Sequence, residues 1–173
     1  MRTFFLALGL FLCAATTVSA QKLQDFTGTW KVNPEKVQQQ TILVNNPSGA
    51  PGIPPPPPPP PDHKYTLEQI RQSGEVLKIS GGEIETTAVY TIDPSGKEVS
   101  DPLPNSVLVR ISTSSWNGGK LVTKWKVVSA DGEAVVHGTD VRSITPDGTL
   151  LVTQDIESGQ HGAHVRFVLE KVQ

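Results

Sequence analysis

The run Lys120-Leu121-Val122-Thr123-Lys124-Trp125-Lys126-Val127-Val128-Ser129 continues after Ala130-Asp131-Gly132-Glu133 into Ala134-Val135-Val136-His137-Gly138-Thr139-Asp140-Val141-Arg142-Ser143. It carries the pattern that decides the fold. In its first half Leu121, Thr123, Trp125 and Val127 alternate with Val122, Lys124, Lys126 and Val128. A period of two puts both lysines on one face and the more apolar set on the other, the mark of a strand with one wet and one buried side. Asp131-Gly132 supplies the positive φ that a tight hairpin turn needs, so the second half folds back antiparallel to the first.

The same unit recurs in both directions. Segments 25–32, 64–72, 75–80, 83–92, 106–116, 120–129, 134–143, 149–157 and 163–172 each read as a strand. Ser73-Gly74, Gly81-Gly82, Asp93-Pro94-Ser95-Gly96, Asn117-Gly118-Gly119 and Pro146-Asp147-Gly148 punctuate them as short turns, and only 97–105 reads as a longer excursion. No segment holds helical periodicity. The prediction is an all-β, antiparallel up-and-down meander of about nine strands, closed into a barrel because closure removes exposed sheet edges. A two-sheet sandwich is the alternative, but Greek-key connections need longer loops than most of these. Alternation places Val165, Phe167, Leu169 and Lys171 on the inner face of the last strand, and His164, Arg166, Val168 and Glu170 on the outer one.

Two segments stand apart from the strands. Residues 33–63 read as a Pro-rich loop or spacer between the first strand (21–32) and the remainder of the barrel (64–173). Pro54 to Pro61 form an unbroken run, which adopts a stiff polyproline helix of ~25 Å at about 3.1 Å per residue. Such a run serves either as a strap across the domain or as a ligand for a protein partner. Residues 1–20 read as a cleaved signal peptide: Arg2, an apolar stretch from Phe4 to Ala15, and small residues in Val18-Ser19-Ala20. The segment is too short, with too little flanking charge, for a membrane span.

Cleavage there would remove the single Cys and the single Met, together with Arg2 and none of the 17 acidic residues, moving the net charge from −2 to −3. An exported chain without cysteine relies on its hydrophobic core instead of disulfides. It also has no thiol nucleophile or thiolate metal site. Neither a block of basic charge nor a rich set of aromatics is present, which argues against nucleic-acid binding.

Phe26-Thr27-Gly28-Thr29-Trp30-Lys31-Val32, with a last strand ending Leu169-Glu170-Lys171-Val172, resembles the calycin superfamily of lipocalins, fatty-acid-binding proteins and avidins. Taken on through Asn33-Pro34-Glu35-Lys36 and a Pro-rich insert, it is similar to secreted bacterial lipocalin-like proteins. The resemblance implies a periplasmic or extracellular ligand-binding barrel. It implies that Gly28 lets the first strand start close to its neighbour and that Trp30 plugs one end. It also implies a basic residue of the last strand over that indole, for which Arg166 is the candidate. The inward Arg and Tyr that hold a carboxylate on the last strand of fatty-acid-binding proteins are replaced here by Phe167 and Leu169.

Chemistry is thinly signalled. His161 and His164, or His137 and Asp140, have spacings that do not converge on a strand, so no metal site is expected. Glu83 and Glu85 share one strand face, as solvated acids commonly do. Neither a nucleophile elbow nor a phosphate-binding loop occurs, so no catalytic residue is assigned and no cofactor is expected. Tyr90, Thr86, Ser112, Ser114, Thr123, Thr139 and Gln154 are the polar residues expected to face inward. The leading expectation is a barrel that binds a small hydrophobic molecule without catalysis, near Tyr90, Trp116, Trp125, Thr123 and Gln154. The alternative is a filled barrel acting as a protein-interaction or structural module.

Overall fold

The period-two alternation is realised as eleven antiparallel strands in a computed structural model that describes residues 24–43, 67–81, 88–159 and 161–172. They are β1 (Gly28–Val32), β2 (Gln38–Leu43), β3 (Leu67–Ser73), β4 (Val76–Gly81), β5 (Ala88–Ile92) and β6 (Ser95–Pro102), followed by β7 (Val109–Asn117), β8 (Lys120–Val128), β9 (Ala134–Ile144), β10 (Leu150–Ser158) and β11 (His161–Lys171). The signal-peptide segment, the polyproline run and Thr86 lie outside the described residues.

Hairpins carry the chain from β6 to β11 and from β3 to β5, and β1 joins the two groups by pairing with both β3 and β11. The resulting order, β5-β4-β3-β1-β11-β10-β9-β8-β7-β6, wraps into a nearly closed barrel. Its two ends, β5 and β6, follow each other in sequence without a ladder between them. One side chain crosses there: Asp101 of β6 accepts the Thr91 N–H of β5 at 2.9 Å.

Two strands exceed the expected nine, and both fall in stretches read as loop. The 33–63 spacer begins with a single 3-10 turn, Pro34–Lys36, and then β2, which pairs with the first half of β11 while β1 pairs with the second. Asn33 accepts the Glu35 N–H at 3.1 Å and donates to Glu170 at 2.8 Å, so one side chain turns the chain and ties it to β11. The sequence leaves open whether Thr41 to Val44 adds a strand; Gln38-Gln39-Gln40 has no apolar alternation, and the order of β2 comes from backbone pairing. The excursion 97–105 likewise contains most of β6, Ser-Gly-Lys-Glu-Val-Ser-Asp-Pro, an end strand that closes on Pro102 where no ladder donor is needed.

One end of the barrel is solid. Phe26, Trp30, Ile70, Leu77, Ile79, Ile92, Leu121, Leu150, Val152 and Leu169 form a continuous buried cluster. The Trp30 indole N–H donates to the Phe26 carbonyl at 2.8 Å, which removes the cost of burying a polar atom in an apolar plug. Gly28 sits at φ +146°, a conformation L side chains rarely adopt, and a Cβ there would stand 2.6 Å from the Lys171 Cε. The close neighbour of Gly28 is thus the lysine stem.

That stem carries the Lys171 Nζ to 5.5 Å from the Trp30 ring, a cation–π contact. Lys171 therefore takes the place expected of Arg166. Arg166 stands opposite Thr153 and Gln38, on the outer face, where it cannot reach an indole inside the barrel.

Candidate functional site

Beyond the plug the interior is hollow. A cavity of about 270 Å³ lies among β3, β4, β5, β7, β8, β9, β10 and β11. Its walls are largely apolar, with Ile79, Val127, Val136, Val152, Ile156 and Phe167 among them. Tyr90, Trp125 and Gln154 line it as expected. Trp116 and Thr123 do not: Trp116 stacks on Phe26 at the solid end, with ring centroids 5.9 Å apart. Thr123 is fully buried and shares a 2.9 Å hydrogen bond with Ser114. Both point inward, but Thr123 lies two residues along β8 from Trp125 and Trp116 six residues along β7 from Arg110, the nearest cavity residues of their strands. Thr139 is on the outer face, opposite Lys124 and Asp155, because the inward set of β9 is Gly138, Asp140 and Arg142.

Four ionisable side chains also reach this cavity, and none of them was picked out from the sequence: Glu68, Arg110, Asp140 and Arg142. Asp140 is the hub. Its Oδ1 accepts the Trp125 indole N–H at 2.8 Å and the Gln154 amide at 3.3 Å. Its Oδ2 accepts Arg142 at 3.2 Å and lies 3.7 Å from Arg110. Arg142 in turn stands 4.0 Å from Glu68. The side chains of Arg110, Asp140 and Arg142 keep only 8%, 4% and 6% of their surface, so this pairing operates in a weakly screening interior. Signals existed: Arg110 alternates with Ser112 and Ser114, already read as inward, and Asp140 and Arg142 share a face with Gly138.

The electrostatics follow from burial and pairing. Burial pushes the Arg110 guanidinium below its ordinary pKa, with Arg142 adding to the effect and Asp140 opposing it. Burial also opposes the charge of Arg142, but Asp140 and Glu68 outweigh it and hold that group above its ordinary value. Burial lifts the Glu68 carboxyl above the usual range, against the pull of Arg142 and with the help of Asp140. The Arg110 guanidinium also lies over two rings, 4.8 Å from Tyr90 and 5.5 Å from Trp125. Three buried polar atoms of the cluster have no hydrogen-bond partner among the described residues: Glu68 Oε2, Arg110 Nη1 and Arg142 Nε.

Trp125 is positioned by an absence. Gly138 is its cross-strand partner, and a Cβ there would stand 2.7 Å from the indole and 2.4 Å from the Asp155 carbonyl. The ring lies flat on the bare backbone and presents its N–H to Asp140. Gly138→Ala is expected to destabilise the protein by about 1–3 kcal/mol through overpacking. It should also shift the Trp125 fluorescence, which a chemical denaturation series read at two emission wavelengths will register. Unchanged stability together with an unchanged spectrum would contradict this packing.

The outer face offers only open hollows among the described residues. One of about 450 Å³ lies over Gly138 between Lys124, Lys126, His137, Asp155 and Glu157. His137 pairs with Glu157 at 3.1 Å and His164 with Asp155 at 2.6 Å. Among the described residues, no three His, Cys, Asp or Glu side chains gather as a metal site.

The fold is shared with several solved β-barrel structures. The chain is similar in structure to zebrafish ileal bile acid-binding protein complexed with cholic acid, with a TM-score of 0.53 and 18% identity over 85% of this chain and 98% of that one. It is similar to a protein described as the REP1-NXSQ fatty acid transporter, with a TM-score of 0.51 and 11% identity over 85% and 96% of the two chains. It is likewise similar to apo lipid binding protein 8 of Caenorhabditis elegans, with a TM-score of 0.51 and 11% identity over 87% and 100%. At these identities the likeness establishes the architecture. No family model and no curated protein matches the sequence.

Proposed function

We propose that this protein is an exported lipocalin-like carrier that holds one small, mainly apolar molecule in the barrel, without catalysis. The cavity inside the barrel carries this reading. At about 270 Å³ it is close to the lower end of ligand pockets, roughly 300 Å³, and its wall is mostly aliphatic and aromatic. The Arg110 and Arg142 N–H groups that have no partner among the described residues ask for an acceptor, so the molecule is apolar over most of its length and carries one polar end. The fatty-acid and bile-acid proteins that share the architecture support the same ligand class. Export rests on the reading of residues 1–20 as a cleaved leader and on the lack of cysteine in the rest of the chain.

The test uses protein from the envelope or medium fraction of its own host, examined by native mass spectrometry. A reproducible bound small molecule is expected. It should be lost in Ile156→Trp, which fills the cavity wall, and kept in Thr153→Trp on the outer face. A bound protein and no small molecule would instead favour an interaction module, and retention by Ile156→Trp would move the ligand out of the cavity.

A further inference from the structure

The charges in the cavity count in an uneven way. Arg110 and Arg142 bring two cations. Asp140 brings one anion, and Asp101, the cross-strand partner of Arg110, brings a second. Those four groups are neutral together. Glu68 is therefore a third acid on a balanced cluster: ionised, it makes the cluster net negative, and protonated, it leaves it neutral.

Geometry gives Glu68 little reason to stay ionised. Its Oε2 is shut off from solvent and has no partner among the described residues, and its other oxygen stands 4.0 Å from Arg142, beyond hydrogen-bond reach. Among the described residues the strands beside it place nothing charged in register with it, since Trp30 of β1 and Gly81 of β4 flank it. Lys171 of β11 is spent on the Trp30 ring. Tyr90 of β5, Trp125 of β8 and Gln154 of β10 complete the cavity's polar side, and only Arg142 and Asp140 bear on the Glu68 carboxyl. Meanwhile Arg142 Nε and Arg110 Nη1 are buried donors without acceptors among the described residues. Both arginines line the cavity, and an incoming carboxylate would compete with an ionised Glu68 for Arg142.

Resting on the carrier reading above, we propose that the cavity loads a compact carboxylate together with a proton: the ligand anion takes Arg110 and Arg142, and Glu68 holds the proton. The proton comes from solvent and no bond of the ligand changes. Loading then leaves a single surplus negative charge instead of two. Affinity for the anion is highest where Glu68 is already protonated in the empty barrel, and it falls as pH rises until Glu68 is ionised in both states. Burial of Glu68 places the lower bound of that window above the ordinary carboxylate range. The barrel therefore holds acids more tightly on the acid side of that window than on its basic side.

Two probes of the same shape test this on the folded protein, 2-naphthoate and the neutral 2-naphthamide, titrated by tryptophan quenching between about pH 5.5 and 8.5. Naphthoate affinity should fall by up to about tenfold per pH unit within the window, as linkage to one proton requires. Calorimetry in two buffers of different ionisation enthalpy should register uptake of that proton by the wild-type protein, a readout that needs no variant. Naphthamide should show no slope, and Glu68→Gln should remove the slope for naphthoate. Naphthoate binding without pH dependence or proton uptake would overturn the proposal and leave the carrier reading standing. Failure of both probes to bind would count against both.

Discussion

Asp140→Ala is expected to cost about 3–5 kcal/mol, the range for removing one partner from a buried ion cluster. In a domain of this size that lowers the melting temperature by roughly 10 °C or more. The residue is shorter than its neighbours and carries no special sequence context. Its effect comes from what it alone satisfies: the Trp125 indole N–H, the Gln154 amide and the guanidinium of Arg142, with that of Arg110 close by. Removing it leaves two buried cations facing each other, and low exposure prevents salt from screening them. Asp140→Asn should be intermediate, because an amide oxygen still accepts from Trp125 while the charge is lost. Thermal scans at low and high ionic strength separate the cases. A loss below about 1 kcal/mol for Asp140→Ala, the value of an exposed pair, would show that the cluster is not insulated.

Phe26→Ala is expected to cost a similar amount, about 3–5 kcal/mol for truncating a buried phenylalanine. Phe26 precedes the first strand and makes no ladder, yet it is completely buried at the centre of the solid end. Its ring stacks on Trp116, its carbonyl accepts the Trp30 indole, and its own N–H donates to Gln72. The backbone contacts survive truncation, so the loss reports the ring's packing and the void left behind. Phe26→Leu should recover most of the stability but not the near-ultraviolet circular dichroism of the stacked pair. Equal stability of Phe26→Ala and wild type in urea would mean that this end is not the plug.

The architecture was legible because each hairpin carries its own instructions. Leu121, Thr123, Trp125 and Val127 alternate cleanly against lysines, and all four point inward, as do Val165, Phe167 and Leu169. Strands that rely on backbone pairing left no such trace: β2 shows three glutamines, and β6 shows charges and proline. The polar end of the cavity was hidden by the same logic. Glu68 lies in Leu-Glu-Gln-Ile-Arg-Gln-Ser, which is polar on both faces, and an Arg or Asp on a strand is taken as wet until its neighbours are known. Trp116 and Trp125 have the same inward orientation, and only their depth along the barrel separates plug from wall.

Sequence alone determined the strand grammar of this protein, where most strands and turns fall and which faces turn inward, while the plug role of Trp30 came from the family resemblance. These are local properties, set by a period of two and by a few residues able to take positive φ. Tertiary structure alone decided that Lys171 covers Trp30, that Gly138 seats Trp125, and that Glu68, Arg110, Asp140 and Arg142 meet across one cavity. Those contacts join residues far apart in the chain, 74 positions from Glu68 to Arg142 and 141 from Trp30 to Lys171. Their chemistry depends on burial, which no stretch of sequence carries by itself and which only the closed barrel confers.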